Sequence, residues 1–132
     1  MSKYKYHFIP NTHLDREWTL DFEHTRKMTV DFIDDLLVIM KKIPGYTFLL
    51  DSQAVPLEDY LEIRPEKREE IKKLIKAGRI NAGPWYSALD MNTIVGESAV
   101  RNMLYGHLTV EEFGKPMKVG YTPFGWGQVS QL

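Results

Sequence analysis

No cysteine occurs among the 132 residues, which excludes a disulfide framework, a thiolate zinc site and a cysteine nucleophile. Any metal would have to be held by histidine and carboxylate. No charge of one sign dominates: seventeen Lys and Arg against eighteen Asp and Glu leave a formal charge of −1. That balance removes the electrostatic case for nucleic acid or an anionic membrane surface as partner. Long hydrophobic runs are missing as well. Residues 1–13 hold no apolar segment of signal-peptide length, and no window approaches the roughly 18 apolar residues of a membrane span. With 43% hydrophobic and 27% charged residues, the expectation is a single soluble domain in the cytoplasm.

What is present alternates. Residues 4–9 are aromatic and β-branched and end at Pro10-Asn11, the pattern of a first strand running into a loop. Over about 22–42, Met28, Phe32, Leu36 and Met40, with Ile33, Leu37 and Ile39 alongside, form the stripe of a helix that Pro44-Gly45 stops. Residues 46–50 read as a buried second strand, closed by Asp51-Ser52-Gln53. Pro56 opens a short helix through Leu61, and Pro65 opens another, striped by Ile71, Leu74 and Ile75 and capped by Gly78. Residues 79–84 suggest a third strand. A helix over 97–112 would turn Val100, Met103, Leu104, His107 and Leu108 inward, and 117–121 suggest a fourth strand. Strands alternating with helices predict an α/β fold with a parallel sheet.

Polar and aromatic residues gather after the predicted strands, at His13/Asp15, Asp51, Trp85/Asp90 and Trp126, where α/β proteins place their sites. In His13-Leu14-Asp15 an imidazole and a carboxylate one residue apart in a loop can both turn toward one ion; a loop salt bridge has the same appearance. Gly83-Pro84-Trp85-Tyr86 offers aromatics that could stack on a sugar or simply fill the core, and core filling is the ordinary fate of such side chains. Asp90 could be a ligand, an acceptor behind one, or the cap of the turn at Met91-Asn92. Neither a Ser-His-Asp arrangement nor a phosphate-cradling glycine loop is present.

In order along the chain, these blocks are similar to glycoside hydrolase family 38, the α-mannosidases. Asn11-Thr12-His13-Leu14-Asp15-Arg16-Glu17-Trp18 resembles the family's opening H-T-H-W-D-R-E-W. Leu50-Asp51-Ser52-Gln53, Gly83-Pro84-Trp85-Tyr86, Gly96-Glu97-Ser98 with Arg101-Asn102, and Lys118-Val119-Gly120-Tyr121 with Pro123 resemble later blocks at similar spacings. The resemblance implies the first half of a seven-stranded β/α barrel, zinc bound through His13 and Asp15, Trp18 as a floor beneath the sugar, and Trp126 also against substrate. It implies a retaining mechanism on α-linked mannose, which needs two carboxyl groups about 5 Å apart.

The sequence departs from the family at one chemically decisive place. The fourth block has the form G-Y-x-P-D-x-F-G-x-x-x-Q-L, whose Asp is nucleophile and zinc ligand, and Phe124 stands at that position with Trp126 at the family's Phe. Phenylalanine can neither attack an anomeric carbon nor coordinate zinc. Asn11 and Leu14 replace the opening motif's first His and its Trp, neither of them a metal ligand in the family. The remaining zinc ligand and the acid/base fall beyond Leu132. Two expectations stand side by side: an α-mannosidase-like domain that is incomplete in these residues, or a binding or assembly domain that pairs with a second copy to complete its sheet.

Overall fold

The computed structural model describes residues 3–122 and Trp126. Its longest element is α1 (Phe22–Lys42), whose limits follow from local chemistry. Asp21 caps it by accepting from the His24 amide at 2.9 Å, and Lys41 and Lys42 face the negative end of the helix dipole. The buried stripe comprises Thr29, Val30, Ile33, Leu36, Leu37 and Met40. Met28 and Ile39, expected on that stripe, are exposed at its margins.

The chain then forms β1 (Phe48–Leu49), α2 (Val55–Ile63), a 3₁₀ turn (Pro65–Lys67), α3 (Arg68–Lys76), β2 (Ile80–Asn81) and α4 (Gly96–Glu111). The end of α3 is a Schellman motif: the Gly78 amide donates to Ile75 and the Arg79 amide to Leu74, both at 2.9 Å, with Gly78 left-handed at φ +66°. Glycine has no Cβ to resist that conformation. Arg79 then turns its guanidinium back onto the carbonyls of Met40, Ile43 and Tyr46 at 2.8 to 3.1 Å, satisfying the end of α1.

β1 and β2 pair in parallel, Phe48 opposite Ile80 and Leu49 opposite Asn81. On the other side of β1, the Leu49 amide donates to Pro10 and Asn11 forms an isolated parallel bridge. The α/β class and parallel pairing hold, but the sheet has two strands among the described residues, not four. Residues 4–9 form no strand, and Tyr4, Tyr6, Phe8 and Ile9 are exposed. Continued from the parallel bridge of Asn11 with Leu49, they would lie opposite 42–47, which are the end of α1 and the turn after it and offer no ladder; beyond β1 the chain leaves extended geometry at Asp51 and Ser52, both at positive φ. Among the described residues, 117–121 contribute one backbone–backbone hydrogen bond beside β2, Met117 amide to Ala82 carbonyl, before Gly83 and the proline at 84 turn β2 away.

The core is built from the inner faces of α1, α2 and α3 with Phe48, Leu50, Ile80, Ala82, Val110 and Phe113. α4 packs on a face other than the one its apolar periodicity indicates. Val100, Met103, Leu104 and Leu108 are exposed, and Gly106 and Val110 are buried. The deciding contact is Gly106, where an added Cβ would lie 2.2 to 2.5 Å from backbone atoms of Pro84, Trp85 and Tyr86. Asn102, one turn earlier, fastens the same loop: its Oδ1 accepts from the Tyr86 amide at 2.8 Å and its Nδ2 donates to the Ser87 carbonyl at 2.9 Å.

Gly106→Ala should therefore destabilise the fold by about 1–3 kcal/mol, the usual range for overpacking a tight contact. Gly45→Ala, where a Cβ meets nothing within 4 Å, should stay within about 0.5 kcal/mol of the parent. Urea denaturation of both variants checks the contrast.

Candidate functional site

The loop following Asn11 is held at two points. Arg16 places its guanidinium fork on Asp59 of α2, both bonds at 2.8 Å, and lies over the Phe22 ring at 4.7 Å. A planar fork on a buried carboxylate fixes direction as well as distance. Two residues earlier, the Leu14 amide donates to Asp51 Oδ2 at 3.2 Å. On either side of Leu14, His13 and Asp15 turn toward each other, with His13 Nε2 at 3.5 Å from Asp15 Oδ1. The other ring nitrogen, Nδ1, lies 3.1 Å from Asp51 Oδ2.

Asp51 sits where β1 breaks, 1% exposed, with φ at +44°. Burial raises its carboxyl above the ordinary carboxylate range, and the donors from Leu14, Gln53 and His13 oppose that rise. Gln53, equally buried, donates from Nε2 to Asp51 Oδ2 at 2.8 Å and to the Leu14 carbonyl at 3.0 Å. Its Oε1 accepts from the Ala88 amide at 2.9 Å, and because a backbone N–H can only donate, this contact fixes the orientation of the side-chain amide. Gln53 thus ties the His13 loop, the end of β1 and the loop after Trp85 together.

The aromatic loop divides its duties. Trp85 is buried and donates from Nε1 to the Tyr121 carbonyl at 3.2 Å, which is the core-filling alternative. Tyr86 donates its hydroxyl to Glu58 at 2.7 Å; desolvation and that carboxylate push its pKa up to about 12, so it remains a neutral donor. Asp90 caps a turn, its Oδ1 accepting from the Asn92 amide at 3.0 Å. Trp18 is 79% exposed and Trp126 is 74% exposed, the latter accepting on its carbonyl from Asn92 Nδ2 at 3.3 Å. Phe124, the residue at the expected nucleophile position, lies outside the described residues.

A family model for the glycosyl hydrolases family 38 N-terminal domain matches residues 3–132. The chain belongs to glycosyl hydrolase family 38. A Halalkalibacterium halodurans protein provisionally named a mannosylglycerate hydrolase is 44% identical over 131 residues, covering 96% of this chain and 15% of that protein. The α-mannosidase G of Dictyostelium discoideum is 31% identical over 126 residues, covering 94% of this chain and 12% of its own length. The crystal structure of an α-mannosidase from Enterococcus faecalis superposes with a TM-score of 0.83 at 40% identity, over 88% of this chain and 13% of that one. The chain therefore spans about one-seventh or less of the length of these relatives.

In this family 38 domain, the donor set at the loop tip suits a borderline metal. Zinc–nitrogen and zinc–oxygen bonds of about 2.0–2.2 Å around a tetrahedral centre separate neighbouring donor atoms by about 3.4 Å. The 3.5 Å between His13 Nε2 and Asp15 Oδ1 matches such an edge. Asp51 Oδ2 is engaged by Leu14, Gln53 and His13, so it stands behind the pair and not beside it. Among the described residues no group of three or more His, Asp or Glu side chains is placed to hold a metal ion.

The sequence pointed to His13 and Asp15 but not to Gln53 as the junction or to Asp59 as the anchor of Arg16. A polar triplet closing a buried apolar run was the available sign for Gln53; nothing in the spacing singles out Asp59. Gln53→Met keeps much of the volume and leaves the Ala88 amide and Leu14 carbonyl unpartnered, so it should cost about 1–3 kcal/mol. Hydrogen exchange should show the Ala88 amide losing protection more than amides within α1.

Proposed function

We propose that this domain supplies the His13/Asp15 part of a zinc-dependent site of a retaining glycosidase acting on α-mannosides, within the β/α barrel architecture that the resemblance implies. The observation that carries the reading is the convergence of His13 Nε2 and Asp15 Oδ1 at 3.5 Å, on a loop clamped by Arg16 and Asp51, in a chain of this family. Bound zinc would polarise and orient sugar hydroxyls. The chain's own contributions are to point two donors at one place, to hold them rigid through Asp59 and Gln53, and to offer the exposed Trp18 and Trp126 faces to an apolar sugar face. A cysteine-free chain suits the reducing cytoplasm.

Chemistry on the anomeric carbon needs a carboxylate that Phe124 cannot provide. These 132 residues alone should therefore leave an aryl α-mannoside and mannosylglycerate unhydrolysed with zinc present, and Phe124→Asp should remain silent without an acid/base. Release of aryl alcohol or mannose by the unaltered chain would show that another carboxylate completes the site.

A second reading, a binding or assembly domain that pairs with another copy, is favoured by the exposed apolar face of α4. Ala99, Val100, Met103, Leu104 and His107, with Trp85 at the base, line an open groove of about 330 Å³. Val100, Met103, Leu104 and Leu108 of α4 are all exposed. Sedimentation should show reversible self-association that Leu104→Lys weakens; a monomer at every concentration removes this reading.

A further inference from the structure

We infer that Asp51 is a positioning residue that sets the tautomer of His13, fixing a proton on Nδ1 so that Nε2 is presented as a ligand toward Asp15. The inference rests on the zinc reading above for its purpose, but its geometry stands without metal.

Asp51 Oδ2 receives the Leu14 amide and the Gln53 Nε2 amide, groups that can only donate. An oxygen already accepting two bonds cannot also carry a proton pointed at the ring, so the contact with His13 Nδ1 at 3.1 Å is made by an Nδ1–H. A neutral imidazole with its proton on Nδ1 carries its lone pair on Nε2, the atom 3.5 Å from Asp15 Oδ1. Histidines that bind metals are characteristically held in this way, with the second nitrogen donating to a carboxylate.

Three further features separate this from ordinary packing. Asp51 Oδ1 is buried and has no hydrogen-bond partner among the described residues, an unfavourable state for a carboxylate oxygen. Ser52 Oγ beside it is in the same condition. Both residues hold positive φ, +44° and +56°, uncommon for residues with a Cβ. Two consecutive residues at positive φ, each with an unsatisfied buried side-chain oxygen, are typical of sites where the arrangement serves a ligand more than the fold. An asparagine would relieve part of the cost: its carbonyl would take the Oδ2 place, accepting the same donors, without a buried charge.

The test reads the ring itself. In the uniformly ¹⁵N-labelled chain, at a pH where imidazole is neutral, ring nitrogen shifts assigned by their loss in His13→Gln should report His13 as the Nδ1–H tautomer. Asp51→Asn should retain that tautomer, and Asp51→Ala should release the ring to a mixture rich in Nε2–H. Zinc titration should then give a dissociation constant raised about 10–100-fold in Asp51→Ala, with Asp51→Asn between it and the parent. An Nε2–H ring in the parent chain, or an Nδ1–H ring that persists unchanged in Asp51→Ala, overturns the inference. Should Asp51→Ala not fold, the parent tautomer and the Asn variant decide it. Should the tautomers follow expectation while zinc binds none of the proteins, the zinc reading fails and the positioning of His13 by Asp51 stands.

Discussion

The described site depends on one buried amide. Gln53 uses both ends of its side chain: it donates to the Leu14 carbonyl and the Asp51 carboxylate and accepts from the Ala88 amide. Unpaired groups at those positions would cost more than the bonds themselves return, since a buried polar atom without a partner loses its solvation outright. The His13 loop, the break after β1 and the loop beyond Trp85 consequently occupy fixed places relative to each other.

Around that junction the helices act as abutments. α2 presents Asp59 to Arg16, and α4 presses Gly106 and Asn102 on the aromatic loop. These are directional or steric contacts, each tolerant of little displacement. The apolar core under them is formed chiefly by α1, α2 and α3 and needs no such exactness of angle. Fold and site thus draw on different physics: area removed from water for the first, aligned polar pairs for the second.

The parts legible in the sequence were those determined locally. The extent of α1, the stop at Pro44-Gly45 and the cap at Gly78 follow from periodicity and from residues acting within one turn. The exposed edges misled: 4–9 and 117–121 have strand-like composition, but a strand requires a partner long enough to receive it, and β1 and β2 have two residues each. The face of α4 misled for a related reason. Hydrophobic spacing marks Val100, Met103, Leu104 and Leu108, whereas the packing is chosen by the absence of a side chain at Gly106. At the site, His13 and Asp15 were legible from their motif, while Asp51 as the partner of the ring depends on two segments 38 positions apart meeting in space.

The clasp of Arg79 on the end of α1 bears on how so small a sheet keeps its alignment. Two strands of two residues offer few bonds to distinguish one pairing from the next, and sliding β2 by one position would exchange its inward and outward side chains. Such a slide would also carry the guanidinium some 3.3 Å from the carbonyls of Met40, Ile43 and Tyr46. The arginine thereby works as an index pin: it lies outside the ladder, yet it penalises every misaligned pairing of the strands.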